Sequence, residues 1–256
     1  MRERPAPLLE HMGAIGARLA GQEPVLVALD FDGTLTEIVD DPTAPSLTAG
    51  QRDVLTRLPG PARRLAIVSG RALGDIRTRV GIRDAIYVGN HGLEIEGPGI
   101  EPAWRPDPSL PSRLAMLLSS LPTDGVAQVE NKNRTATLHV RPRDDHERHA
   151  ALGTAIRRRV EAAGFVLRPG KASWEIRPRG APDKGVVLLD LIASIPGASA
   201  RHTVYIGDDT TDEDAFRALS EGLTVRVGPT VRGTAAHYSL PSPSAVYEFL
   251  ERLIAG

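Results

Sequence analysis

The sequence contains no cysteine. Disulfide bridges and thiolate metal sites are therefore excluded, and the fold must be stable through its core alone. The absence of cysteine fits a cytoplasmic protein, which is the location that we predict. Aromatic residues are also few, at 4% of the 256 residues.

A strong charge of either sign is absent as well. The formal net charge is −1, which gives no general attraction to nucleic acid or to an anionic membrane. The run Arg157-Arg158-Arg159 lacks interleaved aromatics, so a solvated helix face is the favoured interpretation and no nucleic acid partner is predicted. Residues 1–24 contain no continuous apolar segment, which argues against a secretory signal.

Long hydrophobic runs are missing too, and no apolar stretch approaches the length of a membrane span. Apolar residues nevertheless make up 41% of the chain and charged residues 25%, as in ordinary globular proteins. This length permits one large domain or two small ones with a substantial core.

The chain is organised around residues 25–36, VLVALDFDGTLT. The apolar run Val25–Leu29 predicts a buried strand of a parallel sheet. Ionised groups are not tolerated inside such a strand, so Asp30 and Asp32 are expected just past its carboxyl end. Gly33 permits a sharp turn there.

Two carboxylates in this pattern indicate phosphoryl chemistry. Residues i and i+2 of an extended segment face the same side, so Asp30 and Asp32 can share one small space. One can attack phosphorus while its neighbour handles the proton. Such a pair repels unless a cation accompanies it, and Mg²⁺ suits a set of oxygen ligands. The ordinary alternative is a strand followed by an Asp-Gly turn.

Two further predicted strand ends carry groups that suit a phosphate. Arg63–Gly70 predicts a strand that ends at Ser69, and Thr203–Ile206 predicts one that is followed by the acidic run 207–214. Parallel strands place their carboxyl ends on one edge, so these groups should meet, with Lys184 at the start of a nearby helix. Ser69 and Lys184 would hold phosphate oxygens.

Each of these segments has an ordinary alternative. A Ser-Gly pair is often only a turn, and an acidic run is often a solvated helix start. The second alternative explains Glu213 and Asp214 adequately, whereas it does not explain Asp208 directly after a buried strand.

The middle of the chain has a different pattern. After a proline-rich linker, Ser112–Leu121 predicts a helix, and further segments follow in the order β-β-α-β-β. We therefore predict an α/β protein with a Rossmann-like parallel-sheet core and an inserted α+β domain. The predicted boundaries are 1–106 and 183–256 for the core, with 107–182 for the insertion.

The motifs DFDGT, SGR, Lys184-Gly185 and GDD, in this order, resemble those of the haloacid dehalogenase-like phosphatases. The resemblance implies that the insertion is a C2-type cap, that Asp30 is the nucleophile and that Asp32 is the general acid and base. It also implies Mg²⁺ as cofactor, held by the Asp30 carboxylate, the Asp32 carbonyl and Asp208. Thr34 would supply a further hydroxyl, and Asp209 and Asp212 would orient waters, Lys184 or the metal ligands.

A narrower resemblance covers most of the chain from Asp30 to Asp214. The segments GNHGLE, VENKNRTATLHVR, WEIRP, KG and GDDTTDED are similar to those of the trehalose-6-phosphate phosphatase family. The resemblance implies that three cap residues grip the distal glucose: Glu130, Lys132 and Glu175. Three neighbours depart from the family pattern: Asn131, Thr137 and Val140. A surface salt-bridge set is the alternative for the three gripping residues.

Two further residues are expected at the substrate, Arg71 beside the phosphate and His91 in the GNHGLE turn. A buried core histidine is the alternative for His91. The activity implied is Mg²⁺-dependent hydrolysis of trehalose 6-phosphate in trehalose biosynthesis, with a functional link to a trehalose-phosphate synthase. The alternatives are a related sugar phosphatase for sucrose phosphate, glucosylglycerol phosphate or mannosyl-phosphoglycerate, a phosphotransferase, and a non-catalytic phosphosugar-binding domain.

Overall fold

The computed structural model describes residues 4–20, 24–39, 45–101, 107–122, 127–140, 146–170, 173–229 and 233–255. The chain forms two compact units. The first comprises Met1–Ala103 and Pro182–Gly256, and the second comprises Trp104–Ala181. The sequence predicted boundaries between the units at 106/107, within the proline-rich linker, and at 182/183, where the chain re-enters the first unit. Residues 102–106 of that linker lie outside the described part.

Elements are numbered along the whole chain. The described strands of the first unit are β1 (Ala6–Pro7), β2 (Val25–Leu29), β3 (Arg63–Val68), β4 (Ala85–Gly89), β5 (Glu94–Glu96), β10 (Thr203–Gly207), β11 (Leu223–Val227) and β12 (Tyr238–Leu240). Its helices are α1 (Met12–Leu19), α2 (Ala49–Arg57), α3 (Leu73–Val80), α6 (Lys184–Ser194), α7 (Asp212–Ala218) and α8 (Pro243–Ala255). The second unit contains α4 (Leu110–Ser120), β6 (Ala127–Asn131), β7 (Ala136–Val140), α5 (His146–Ala162), β8 (Phe165–Gly170) and β9 (Ser173–Pro178).

The sheet of the first unit has the order β1-β12-β11-β10-β2-β3-β4-β5. Neighbouring strands are parallel except β5, which returns antiparallel to β4. All five residues of the central strand β2 are buried. Alternate residues of β2 join two different apolar clusters, one with α1, α2, α3 and α8 and the other with α6 and α7. The sheet is therefore covered on both faces, as the unbroken apolar run predicted.

The second unit is a four-stranded antiparallel sheet in the order β6-β7-β9-β8. One face carries Ala136, Leu138 and Ile176, which pack against apolar residues of α4 and α5. The element order α-β-β-α-β-β is the one predicted, and the predicted α/β class is confirmed. The alternation over residues 135–141 predicts the strand that the structure shows as β7, and Arg141, the last residue of that prediction, lies outside the described residues.

Two short strands at one end of the sheet, β1 and β12, were not predicted. They span two and three residues, which is too short for a period-2 pattern to emerge. Their pairing joins Ala6 to Tyr238, a contact across almost the whole chain that local sequence does not encode. In the part of the chain that the structure describes, no helix combines the length and apolarity needed to cross a membrane.

Candidate active site

Asp30 is the first residue beyond β2, at the carboxyl edge of the parallel sheet. Its side chain is buried, with the residue 5% exposed, and its backbone N–H donates to the carbonyl of Ile206 at 2.9 Å. This bond fixes Asp30 against the end of β10, so the acids that follow β2 and β10 lie side by side.

Lys184 is the first residue of α6 and is also buried. The helix begins there because the Asp183 side chain accepts the backbone N–H of Val186 at 2.9 Å. The Lys184 Nζ donates to Asp30 Oδ1 at 2.8 Å and to Asp212 Oδ1 at 2.6 Å. Lys184 therefore joins carboxylates that come from two strand ends.

Asp212, fully buried at the start of α7, accepts four hydrogen bonds. Besides Lys184, its donors are the Tyr205 hydroxyl at 2.7 Å and the backbone N–H groups of Asp208 and Asp209 at 3.0 and 2.9 Å. Both carboxylate oxygens of Asp212 are thus engaged in shaping the loop after β10. The sequence predicted that Asp212 orients waters, Lys184 or the metal ligands, but it did not indicate Tyr205, whose only signal is a phenolic hydroxyl in the short buried strand β10.

Asp208 packs directly against the turn after β2. A Cβ at position 33 would lie 2.2 Å from Asp208 Oδ2, and Gly33 has φ +83°, so glycine is needed on both counts. The Thr34 hydroxyl lies 3.4 Å from Asp208 Oδ1. Thr34, predicted to serve the substrate, therefore touches an acid of the cluster.

Three carboxylates, those of Asp30, Asp208 and Asp212, each offer an oxygen within 4.8 Å of the others. Burial, opposed by Lys184 and reinforced by Asp212 and Asp208, raises the pKa of Asp30 well above its usual range. Burial and the neighbouring charges of Asp212 and Asp209 raise the pKa of Asp208 to about 7. Three carboxylates thus lie beside one ammonium, that of Lys184, and two of the three ionise less readily than a free aspartate.

Lys184 itself remains a cation. Burial alone would lower the pKa of Lys184, but the charges of Asp212 and Asp30 overcome that effect and raise it well above its usual value. Burial together with Asp212 raises the pKa of Tyr205, so its phenol stays protonated and donates.

The Ser69 loop follows β3, the neighbour of β2. Ser69 is 1% exposed, its N–H donates to the carbonyl of Val88 at 2.9 Å, and its Oγ accepts the N–H of Arg71 at 3.2 Å. Ser69 thus lies at the same edge of the sheet as Asp30, one strand away.

Arg71 was predicted to contact the substrate, and in the structure it holds Asp32. Its Nε and Nη2 donate to the two oxygens of Asp32 at 2.7 and 2.6 Å, and its Nη1 donates to Asp75 at 3.1 Å. The guanidinium also lies 5.6 Å from the centroid of the Phe31 ring. This bidentate arrangement is the strong form of an arginine–carboxylate pair.

Two other residues predicted at the site, His91 and Asp209, differ in burial. His91 is 9% exposed, with its ring edge against Gly70. Asp209 is exposed, and its Oδ1 accepts the N–H of Thr210 at 2.6 Å.

Glu213 was expected on a solvated helix start, and that expectation is wrong. Its side chain is 13% exposed, and it accepts the Thr234 hydroxyl at 2.6 Å and the Ala235 N–H at 2.8 Å. The carboxylate is used to anchor the segment before β12, a long-range role that a local charge run does not reveal. Asp214 does follow the expectation, since it pairs with Arg217 on the surface.

In the second unit, the three predicted sugar-gripping residues lie on or beside one polar row. Thr137 on β7 is directly opposite Glu130 of β6 and directly opposite Glu175 of β9, so the two acids share one face of the sheet. Lys132 lies in the turn after β6, where its N–H donates to the carbonyl of Thr135 at 2.9 Å. His139 Nε2 lies 3.0 Å from Glu130 Oε2.

Among known proteins, this chain is similar to trehalose-phosphate phosphatases. The family model described as trehalose-phosphatase matches residues 28–244. A probable trehalose-phosphate phosphatase 4 of Oryza sativa subsp. japonica is 34% identical, over 99% of this chain and 72% of its own length. A trehalose-phosphate phosphatase of Mycobacterium avium is 36% identical, over 92% of this chain and 63% of its own length. The chain therefore spans roughly two thirds of these longer relatives.

Solved structures share the fold. The C-terminal domain of Candida albicans trehalose-6-phosphate phosphatase superposes with a TM-score of 0.77 at 22% identity, covering 99% of this chain and 98% of that one. Aspergillus fumigatus trehalose-6-phosphate phosphatase superposes with a TM-score of 0.72 at 25% identity, covering 99% of both chains.

Proposed function

The chain belongs to the trehalose-phosphatase family, and from that premise we propose that it hydrolyses trehalose 6-phosphate to trehalose and inorganic phosphate. The observation that carries the proposal is the buried contact of Lys184 with Asp30 at the carboxyl edge of the sheet, beside Asp208. A nucleophilic carboxylate and a fixed cation are what phosphoryl transfer needs most.

The proposed chemistry has two steps. In the first, an Asp30 oxygen forms a bond to phosphorus, the bond from phosphorus to the sugar oxygen breaks, and Asp32 gives that oxygen a proton. In the second, Asp32 takes a proton from water, the water oxygen bonds to phosphorus, and the Asp30 carboxylate is released. Lys184 and Ser69 hold the phosphate oxygens in both steps.

Asp32 must leave Arg71 to perform this role. Both of its carboxylate oxygens accept hydrogen bonds from the guanidinium, and an oxygen that is to give a proton to the sugar must first be released from such a bond. The Asp32 side chain is 41% exposed, so water can solvate its carboxylate when it leaves Arg71. Arg71 is then left with Asp75 and is available to the incoming phosphate.

The residues present fit a Mg²⁺ ion. The carboxylates of Asp30, Asp208 and Asp212 each bring an oxygen within 4.8 Å of the others. Burial, together with repulsion between neighbouring acids, raises the pKa values of Asp30 and Asp208, so a cation among them would favour their ionised forms. The carboxylates of Asp30 and Asp208, with the Asp32 carbonyl, would hold the ion, since both oxygens of Asp212 are occupied by hydrogen bonds. When bound, the ion neutralises charge on the transferring phosphoryl group.

Mg²⁺ is expected to raise the melting temperature of the wild-type protein. At a concentration a hundredfold above its Kd the stabilisation would be about 2.7 kcal/mol. The effect should be smaller at pH 6 than at pH 8, because Asp208, with a pKa of about 7, takes a proton below pH 7 and the proton competes with the ion.

Thermal melts with and without Mg²⁺ at both pH values test this. Asp208→Asn should lose most of the response, whereas Asp214→Asn, at the surface of the same segment, should keep it. A response that is equal in wild type and Asp208→Asn would contradict the proposed ligand set.

The second unit is proposed to select the sugar. Glu130 and Glu175 share one face of its sheet, on either side of Thr137, and carboxylate oxygens accept hydrogen bonds from sugar hydroxyls. Lys132 would donate to the same sugar from the turn after β6. Cap groups of this kind admit an ester according to its alcohol, while the core acts on the phosphate.

Glu130→Ala is expected to lower kcat/KM for trehalose 6-phosphate by about 10- to 100-fold, because hydrogen bonds to a charged partner are lost. Hydrolysis of p-nitrophenyl phosphate, which has no sugar to bind, should change by less than about twofold. Glu161→Ala, an exposed acid of α5 in the same unit, is the matched control. Equal losses on both substrates would mean that this face does not bind sugar.

A substrate panel tests the proposed function as a whole. Phosphate release is measured with Mg²⁺ for trehalose 6-phosphate, sucrose 6-phosphate, glucosylglycerol phosphate and mannosyl-phosphoglycerate. The highest kcat/KM is expected for trehalose 6-phosphate, and a higher value for another ester would replace the substrate while keeping the chemistry. Absence of turnover on every ester would reject a phosphatase.

A further inference from the structure

The Asn90–Glu94 turn, which joins β4 to β5 and includes the first residue of β5, contains two strained residues. Asn90 has φ +49° and His91 has φ +56°, so two consecutive residues other than glycine adopt the left-handed conformation. Both are buried, Asn90 completely. Such backbone strain persists only where the surroundings enforce it, and it concentrates at functional sites.

This turn contacts the Ser69 loop through two backbone bonds. The N–H of Asn90 donates to the carbonyl of Arg71 at 2.6 Å, and the N–H of His91 donates to the carbonyl of Ser69 at 3.0 Å. The left-handed conformation of the two residues directs their consecutive N–H groups at the loop. The carbonyls of Ser69 and Arg71 are therefore bound by a turn whose own backbone conformation is fixed.

The same turn also determines the side-chain contacts of the loop. The His91 ring lies against Gly70 so closely that a Cβ at position 70 would be 2.5 Å from the ring atoms Cε1 and Nε2. On the neighbouring side, a Cβ at position 92 would be 2.1 Å from Cγ2 of Val187 in α6. The turn is thus packed between the Ser69 loop and the helix that begins with Lys184.

Glu94 connects the two ends of this arrangement. One carboxylate oxygen, Oε2, accepts the Asn90 side-chain amide at 2.6 Å and the backbone N–H of Leu73 at 3.0 Å. Leu73 is the first residue of α3, the helix that follows the Ser69 loop. A single oxygen of Glu94 therefore binds both the strained turn, at Asn90, and the start of the helix that follows the Ser69 loop, at Leu73.

We propose that the Asn90–Glu94 turn is a template for the phosphate-binding conformation of Ser69–Arg71, and that Glu94 is its positioning residue. Glu94 acts by accepting two hydrogen bonds, so its charge is not required. In this account His91 shapes the loop through Gly70. The proposal rests on the proposed function only in taking Ser69–Arg71 as the segment that holds phosphate.

Inorganic phosphate, titrated calorimetrically in the presence of Mg²⁺, is the direct probe. Glu94→Ala is expected to weaken its binding about tenfold, because a buried side-chain amide and a helix N–H lose their acceptor. Glu94→Gln, whose carbonyl oxygen can accept both bonds, should bind within about threefold of wild type. Glu96→Ala, two residues along β5 in an exposed pair with Arg77, should bind as wild type does.

Steady-state kinetics add a second measurement. KM should rise by the same factor for trehalose 6-phosphate and p-nitrophenyl phosphate in Glu94→Ala, since both esters present the same phosphate to the loop. Should Glu94→Ala not fold, Asn90→Gly removes the bond between the Asn90 amide and Glu94 at a φ that glycine tolerates. Because the bond from Leu73 to Glu94 remains, phosphate binding is expected to weaken by a smaller factor, and unchanged binding would overturn the proposal.

Wild-type affinity in Glu94→Ala, or a loss in Glu94→Gln as large as that in Glu94→Ala, would overturn the proposal. A wild-type protein that binds phosphate but releases none from trehalose 6-phosphate would reject the proposed function and leave the template standing. If the wild-type protein binds no phosphate, the template proposal is rejected, because Ser69–Arg71 then has no phosphate to hold.

Discussion

The Asp30→Asn variant is expected to lose turnover on every phosphate ester, by about 10⁴-fold or more. An amide nitrogen or oxygen does not replace a carboxylate as the nucleophile towards phosphorus, and the neighbouring acids are otherwise engaged, Asp208 as a proposed Mg²⁺ ligand. Asp212 accepts four hydrogen bonds, and Asp32 is paired with Arg71.

The same substitution should leave the fold intact. Three carboxylates, those of Asp30, Asp208 and Asp212, lie beside one ammonium. Replacing Asp30 by the neutral amide relieves repulsion from Asp208 and Asp212, while Lys184 keeps its ion pair with Asp212. We therefore expect a melting temperature equal to or above that of wild type, measured without Mg²⁺.

Phosphate release from trehalose 6-phosphate and from p-nitrophenyl phosphate is the measurement. Asp53→Asn, an exposed acid of α2 paired with Arg57, controls for the substitution itself and should turn over as wild type does. Retention of a tenth or more of the wild-type rate by Asp30→Asn would contradict the role of Asp30 as nucleophile.

Lys184→Met is the second substitution with a large expected effect. Lys184 is 3% exposed and hydrogen bonds to two buried carboxylates, Asp30 and Asp212. Breaking a buried ion pair by removing one partner leaves uncompensated charge, and the expected loss of unfolding free energy is about 3–5 kcal/mol. Turnover should fall in parallel, because the phosphate loses a fixed cation.

A double variant separates charge imbalance from simple loss of packing. Asp212→Asn added to Lys184→Met removes one of the uncompensated carboxylates, so part of the lost stability should return, with no return of activity. Mg²⁺ should stabilise the single variant more than wild type, because the ion supplies the missing positive charge. Additive losses in the double variant, measured by denaturant unfolding, would contradict a charge-based role.

The sequence predicted best those elements whose local pattern is compatible with only one kind of structure. The apolar run Val25–Leu29 must be a buried strand, and the acids at 30 and 208 must then lie beyond strand ends. The right-handed connection of parallel strands brings these ends to one edge, so the contact of Lys184 with Asp30 could be anticipated from order and spacing.

What the sequence did not predict depends on long-range pairing. Nothing local to Asp32 indicates that both its oxygens are held by Arg71, since the partner is 39 residues away. The four hydrogen bonds to Asp212 require Tyr205 and Lys184 to converge on it, and the burial of Glu213 requires the segment at Thr234. In each case several partners are compatible with the sequence, and the folded structure determines which of them is in contact.

We propose above all that Asp30 takes a phosphoryl group from trehalose 6-phosphate. It is tested most directly by mixing the wild-type protein with this substrate and Mg²⁺, quenching with acid within the first turnover, and locating the phosphoryl group by peptide mass spectrometry. We expect it on the peptide that contains Asp30, with one trehalose released for each group bound. Release of trehalose without a phosphorylated Asp30 peptide, or a phosphoryl group on another residue, would contradict the account.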